Sequence, residues 1–177
     1  MAPLSLPQVE DTIMLLILIA TTAIGMLIHE TGHLTAARNL NITCSEVALG
    51  LGPKLFSVRV RGVQFSLRLI PLGSFVRLDG KQLKNSPVPH QLCVHLAGIV
   101  FNLVAGVLTY GTLFSWINFL IAAGNLMPLY QHDGWKCGLV IMRAWMKRKS
   151  QPAEWALTFS GGFVSLLIAW LVIRMFV

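Results

Sequence analysis

His29-Glu30-Thr31-Gly32-His33 closes an apolar run that begins at Thr12 and reaches Ile28 without a charged residue. The pentapeptide matches the His-Glu-x-x-His pattern. On a helix, residues four apart stand one turn apart on one face, so both imidazoles can reach one zinc ion, and Glu30 projects beside them, able to take a proton from an attacking water. The competing reading, incidental polar residues at a helix end, asks two imidazoles and a carboxylate to sit at membrane depth for no purpose, which is costly. The run itself lacks a basic start and a small-residue cleavage site and leads straight into His29, so it reads as a retained helix over residues 12–38 rather than a signal peptide.

Working outward, the chain has 177 residues, of which 55% are hydrophobic, with a mean hydropathy of +0.68. That lies outside the soluble globular range and makes lipid part of the solvent. A crossing helix needs about 20 mostly apolar residues. Four segments are expected to cross: 12–38, 91–109, 112–128 and 154–176. The middle two reach that length only with their polar ends included, as helices entering protein-lined space.

The net charge is +7, and thirteen of the fourteen Lys and Arg residues fall within Arg38 to Lys84 and Lys136 to Lys149. Basic loops remain in the cytoplasm. The alternation predicts four crossings with both termini outside, Arg174 being the basic exception, and it accounts for the charge without nucleic acid. Cys44, Cys93 and Cys137 are widely spaced, form no Cys-x-x-Cys pair, and imply neither a disulfide framework nor a metal site.

Beyond the first helix the hydrophobic period changes. Phe56, Val58 and Val60, then Val63, Phe65, Leu67 and Leu69, alternate with polar residues across a turn at Gly62, and a short run Ser74 to Leu78 follows Pro71-Leu72-Gly73. This predicts a small antiparallel, membrane-associated sheet over residues 42–79. It serves either as a connector or as an edge on which an extended segment adds as a strand. Residues 80–90, with Pro87 and Pro89, read as a linker. Residues 135–149 read as an amphipathic helix at the membrane interface. The expected fold is mainly α, one integral-membrane domain over residues 1–177.

Two imidazoles do not complete a catalytic zinc site, which usually takes three protein ligands and keeps one position open. Of the seven carboxylates, Asp133 stands out. It follows a span returning to the cytoplasmic side, at the depth of His33, and Pro128 and Gly134 break the helix around it. A loop or capping role is its alternative. His132 is the rival third ligand, and neighbours on regular structure rarely face the same way. His90 and His95 read as linker and interfacial residues.

Together, His29 to His33 and Asn125-Leu126-Met127-Pro128-Leu129-Tyr130-Gln131-His132-Asp133-Gly134 resemble the site-2 protease family of intramembrane zinc metalloproteases, whose second motif is Asn-x-x-Pro-x-x-x-x-Asp-Gly. Gly50-Leu51-Gly52-Pro53, Pro71 to Val76 and Ala97-Gly98-Ile99-Val100-Phe101-Asn102 add to the likeness, which covers Ile28 to Gly134. The resemblance implies a three-helix catalytic core, a membrane-associated β-loop, one zinc per chain, and cleavage of single-span membrane proteins in or near the bilayer of the bacterial cytoplasmic membrane. Implied substrates are a membrane-anchored transcription regulator, an anti-sigma factor or a signal-peptide remnant. His132 stands where the family usually has an apolar residue, which leaves the choice between His132 and Asp133 open. Gly98-Ile99 stands for the common Gly-Pro. The PDZ domain many relatives carry between the second and third core helices is replaced by a few residues around Gly111.

Asn102 and Asn125, polar residues inside spans, serve either helix packing or the site, holding substrate backbone or donating to an oxyanion. The expected chemistry is zinc-assisted peptide hydrolysis with His29, His33 and Asp133 as ligands and Glu30 as base. The alternative from another class is a non-proteolytic zinc-binding membrane protein of the same fold that regulates a partner. A purely structural zinc would more often have four protein ligands. A metal transporter would need polar residues along the outer halves of the spans, which are apolar.

Overall fold

The computed structural model describes residues 6–146 and 150–176. It is mostly helical, in the order α1 (Leu6–Asn39), β1 (Cys44–Val60), β2 (Val63–Leu78), α2 (Gly80–Asn85), α3 (Val88–Leu108), α4 (Leu113–Leu126), α5 (Asp133–Met146) and α6 (Gln151–Phe176). Three helices contain stretches long and apolar enough to cross a bilayer, Val9–Asn39, Val88–Leu108 and Gln151–Leu171, whereas Leu113–Leu126 is an apolar helix of 14 residues. At 1.5 Å per residue α4 is about 21 Å long. The described residues therefore hold three full-length candidate spans and one shorter apolar helix.

α1, α3 and α4 pack into the body that carries the site. Gly32 of α1 meets the α3 backbone so closely that a Cβ there would stand 2.5 Å from the Ala97 carbonyl oxygen. One at Gly106 of α3 would stand 2.6 Å from the ring of Phe119 on α4. Lipid supplies no hydrophobic force between helices, and small residues that let helices approach take its place. Thr109 to Thr112 turn the chain between α3 and α4, and the Thr112 hydroxyl caps α4 by accepting from the Ser115 N–H at 3.1 Å.

The two strands pair antiparallel across a turn at Arg61 and Gly62, whose φ angles of 48° and 84° suit a tight hairpin. Val60 faces Val63, Val58 faces Phe65 and Phe56 faces Leu67, as the alternation predicts. Both strands are longer than expected and bend. Cys44 to Leu49 pair with Ser74 to Leu78 and also lie beside Gln64 to Leu67, so the expected separate run Ser74 to Leu78 is the end of β2. Cys44, Val47 and Val63 pack on Leu34 of α1, while Leu55, Phe56 and Leu69 stay exposed on the distal half.

Glu46 ties these segments together. Its Oε1 accepts from Ser66 Oγ at 2.6 Å and Arg68 Nη2 at 3.1 Å and lies 3.0 Å from Lys54 Nζ, with Arg77 Nη2 3.6 Å from Oε2. Burial alone would push this carboxyl up, but the bonds from Ser66, Lys54 and Arg68 outweigh it and hold it at about 2.

The expected linker 80–90 is largely helical. Asp79 caps α2, its Oδ1 accepting from the backbone N–H of Lys81 and Gln82 at 2.9 and 3.1 Å. The two prolines start α3 rather than separate it from the sheet, since the first turn of a helix needs no N–H donor from them. The interfacial helix begins at Asp133, two residues earlier than expected, and its expected last residues, 147–149, lie outside the described ones. A two-pronged ion pair, Arg143 to Glu154 at 2.8 Å for each prong, links α5 to α6.

Candidate metal centre

The last turns of α1 place His29, Glu30 and His33 on one buried patch, with 4%, 6% and 8% of their surfaces exposed. α3 runs against that patch at Gly98. A Cβ on Gly98 would stand 2.6 Å from His33 Nε2 and 2.8 Å from His29 Nε2, so only glycine leaves the rings their room. Asp133, 2% exposed, enters from the first residue of α5, its Oδ2 lying 2.9 Å from His29 Nε2 and 3.0 Å from His33 Nε2. The two Nε2 atoms are 3.1 Å apart. Among the described residues these three form the one group of potential ligands close enough to share an ion.

The outer nitrogens decide what the inner ones can do. His33 Nδ1 donates to the Val94 carbonyl at 2.7 Å. His29 Nδ1 is 2.7 Å from Asn102 Oδ1. Asn102 Nδ2 in turn donates to the Gly25 carbonyl at 2.9 Å and to Asn118 Oδ1 at 2.7 Å, which fixes the amide with its oxygen toward His29. With its proton on Nδ1, each ring offers a bare Nε2 lone pair. Two lone pairs and a carboxylate oxygen thus converge, an arrangement that calls for a cation. Ligand atoms about 2.0 Å from a tetrahedral zinc lie about 3.3 Å apart, close to the 2.9 to 3.1 Å spacing here. The donor set fits zinc and leaves a fourth position open.

The fourth side is a cleft of about 780 Å³. Its walls are the site-bearing turns of α1, Gly73 to Val76 of β2, Val94 and His95 of α3, Leu120, Ile121, Gly124 and Asn125 of α4, and Gln131, His132, Asp133 and Lys136. Glu30 faces it, held by Ser74, whose hydroxyl donates to Oε1 at 2.6 Å. The positive φ of Gly73, 79°, turns the strand so that Ser74 can reach in. Lys136 donates to Asp133 Oδ1 at 2.9 Å, leaving Oδ2 for the imidazoles' side. The Lys136 ammonium on Oδ1 favours the ionised carboxylate, the form in which Asp133 could serve as an anionic ligand. Burial, aided by the Asp133 charge, pushes the Cys137 thiol up to about 11, and its sulfur is not among the clustered ligand atoms.

The structure thus brings together His29, Glu30, His33 and Asp133. Asn102 sits fully buried behind His29, and Asn125 stands on the cleft wall with Nδ2 donating back to the Ile121 carbonyl at 3.0 Å. His132 lines the same cleft with Nδ1 3.2 Å from the Tyr130 carbonyl oxygen, and its ring is not among the clustered ligand atoms. The sequence reading passed over Asn118, Ser74 and Lys136. Asn118, entirely buried, was visible as an amide inside an apolar run. The other two gave no signal, because only the fold carries β2 and α5 to the end of α1.

The sequence profile described as peptidase family M50 matches residues 16–115. Two proteins named zinc metalloprotease RasP are similar: that of Shouchella clausii is 40% identical over 68 residues, 38% of this chain and 16% of its own length, and that of Bacillus licheniformis is 41% identical over 71 residues, 40% and 16%. A Staphylococcus aureus protein whose name assigns it provisionally as a zinc metalloprotease is 43% identical over 61 residues, 34% of this chain and 14% of its own length. The matched segments are thus about one seventh of those relatives. The profile covers more than half of the chain and includes the His-Glu-x-x-His turn and Gly98, so this membrane protein, with its site for a metal, belongs to peptidase family M50.

Proposed function

We propose that this protein is a zinc-dependent intramembrane endopeptidase. It holds one zinc ion through His29, His33 and Asp133 and hydrolyses a peptide bond in or near the spanning segment of a single-span membrane protein. One observation carries the reading: the Nε2 lone pairs of His29 and His33 and the Asp133 carboxylate converge at 2.9 to 3.1 Å beside Glu30, at the end of an apolar helix and at the mouth of a cleft. A binding or structural zinc needs neither the carboxylate nor the cleft.

When bound, zinc acidifies the attacking water and polarises the scissile carbonyl. Glu30 accepts the water proton through the carboxylate oxygen that Ser74 leaves free, then passes it to the amide nitrogen as the C–N bond breaks. Asn102 keeps His29 in the tautomer that presents Nε2. Asn125 and the strand Ser74 to Val76 flank the substrate backbone, which must be extended, because a helical carbonyl is shielded and already hydrogen-bonded.

With α4 counted as a crossing, the basic segments support a site on the cytoplasmic side of the membrane and both termini outside, and the family likeness supports the bacterial cytoplasmic membrane as that membrane. Substrates of the class the family likeness implies, a membrane-anchored regulator, an anti-sigma factor or a signal-peptide remnant, present a segment of this kind.

The test is cleavage of a single-span substrate by the purified protein in detergent or vesicles. Glu30→Gln is expected to keep its zinc and lose activity by at least about 1000-fold, given the size of general-base and preorganisation effects. Chelation abolishes cleavage and zinc restores it. Normal cleavage by Glu30→Gln would refute the assignment of the base. Zinc binding without cleavage of any spanning substrate would point to the non-proteolytic reading.

A further inference from the structure

Zinc would carry part of the charge that develops on the scissile carbonyl oxygen, and a hydrogen-bond donor beside it would share the load. As the water oxygen bonds to the carbonyl carbon, the π electron pair of the C=O moves onto its oxygen, and that oxyanion needs a donor. Asn102 cannot supply it: both hydrogens of Nδ2 are used, on the Gly25 carbonyl and Asn118 Oδ1, and the residue is fully buried behind His29. Lys136 uses one of its three N–H donors on Asp133 Oδ1, which ties its ammonium to the third ligand's side of the cleft.

His95 is differently placed. It follows Val94, whose carbonyl accepts from His33 Nδ1, and precedes by three residues Gly98, against which both ligand rings lie. Residues three apart share a helix face within about one turn, 5.4 Å, so His95 occupies the row of α3 next to the ligands. Its ring lines the cleft, it is half-buried, and it forms no hydrogen bond with any described residue. Asn125 and Lys136 each make one hydrogen bond and face the cleft from α4 and α5, whereas His95, a half-buried imidazole on α3 with no hydrogen bond to a described residue, is placed to bind something that enters beside the ligand rings.

We infer that His95 is a catalytic residue: its ring N–H donates to the scissile carbonyl oxygen as negative charge develops there, and releases it when the C=O re-forms and the C–N bond breaks. The role needs no change in the protonation of His95, since a neutral imidazole has one N–H to give.

This rests on the zinc-peptidase reading, so the experiment separates the two. Wild type, His95→Phe, His95→Gln and Glu30→Gln are compared for zinc content, for kcat and KM on a single-span substrate, and for the affinity of a phosphinic peptide, whose tetrahedral anionic oxygen stands where the oxyanion would. His95→Phe is expected to keep its zinc and a KM within about twofold while kcat falls about 100-fold and phosphinic affinity falls in step. His95→Gln, which keeps an N–H donor, recovers about tenfold of that loss. Wild-type kcat or wild-type phosphinic affinity in His95→Phe overturns the inference. Loss of zinc in that variant overturns it too, making His95 a support of the metal. Failure of the underlying reading looks different: Glu30→Gln then cleaves as wild type does, or wild type binds neither zinc nor the phosphinic peptide.

Discussion

Each of the three side chains proposed as ligands is held at two points, one facing the convergence and one facing away. For His29 the outer partner is Asn102, for His33 the Val94 carbonyl, and for Asp133 the Lys136 ammonium. The third is the weakest link, since it hangs on a long side chain that is 37% exposed. Outer partners of this kind are worth about 10-fold to 100-fold in metal affinity. Lys136→Met is therefore expected to weaken zinc binding about 10-fold, read by competition with a chromophoric chelator, and Lys136→Arg to restore most of it. An unchanged affinity in Lys136→Met would mean that Asp133 needs no brace. His29, Glu30 and His33 could be read from the sequence because the chemistry needs them within one helical turn. Asp133 was read as the third ligand from its depth and its helix-breaking neighbours, with His132 beside it as the rival. The choice over His132 is geometric: Asp133 opens α5 and turns inward, while His132 ends the preceding turn beside the Tyr130 carbonyl.

Among the elements, the sheet was legible as alternation but not as architecture. Phe56 to Val60 and Val63 to Leu69 announce a hairpin. Nothing in that pattern says that Cys44 to Leu49 also pairs, because the register depends on bends at Gly50, Gly52 and Gly73, all at positive φ. The linker was misread for a similar reason: Pro87 and Pro89 look like breakers until they stand in a helix's first turn. Glu46 makes the sheet sensitive to acid. Its carboxyl is ordinarily at 4.5 and is held at about 2 in the fold, so the stabilisation is complete above about 4.5 and disappears as pH falls from there through about 2. Hydrogen bonds to a charged group contribute about 1.5–3 kcal/mol. Glu46→Gln is expected to lower the stability of the sheet by about that much at pH 7 and to flatten its acid dependence, followed by the amide-I infrared band in detergent. An acid profile that Glu46→Gln leaves untouched would place the sensitivity elsewhere.

At the scale of the whole molecule, the sequence could place helices but not decide whether a 14-residue one crosses, because hydropathy measures composition and not depth. The proposed orientation is testable in a variant lacking the native cysteines. A cysteine at Tyr110, between α3 and α4, is expected to react with an impermeant maleimide added outside, and one at Lys84 only after the membrane is opened. The reverse pattern would invert the protein and put its site on the outer face. The shortness of α4 has a further consequence. α3, with 21 residues, measures about 31 Å and matches a hydrocarbon layer, while its neighbour α4 ends about 10 Å sooner. A bilayer meets such a mismatch by thinning locally or drawing polar groups inward. The non-helical stretch from Met127 to His132 begins where α4 stops, and the cleft opens there. If α4 crosses as proposed, the lipid on that flank would be drawn thin, which would shorten the path of water to the proposed site and strip a substrate helix there of the apolar surroundings that keep it wound.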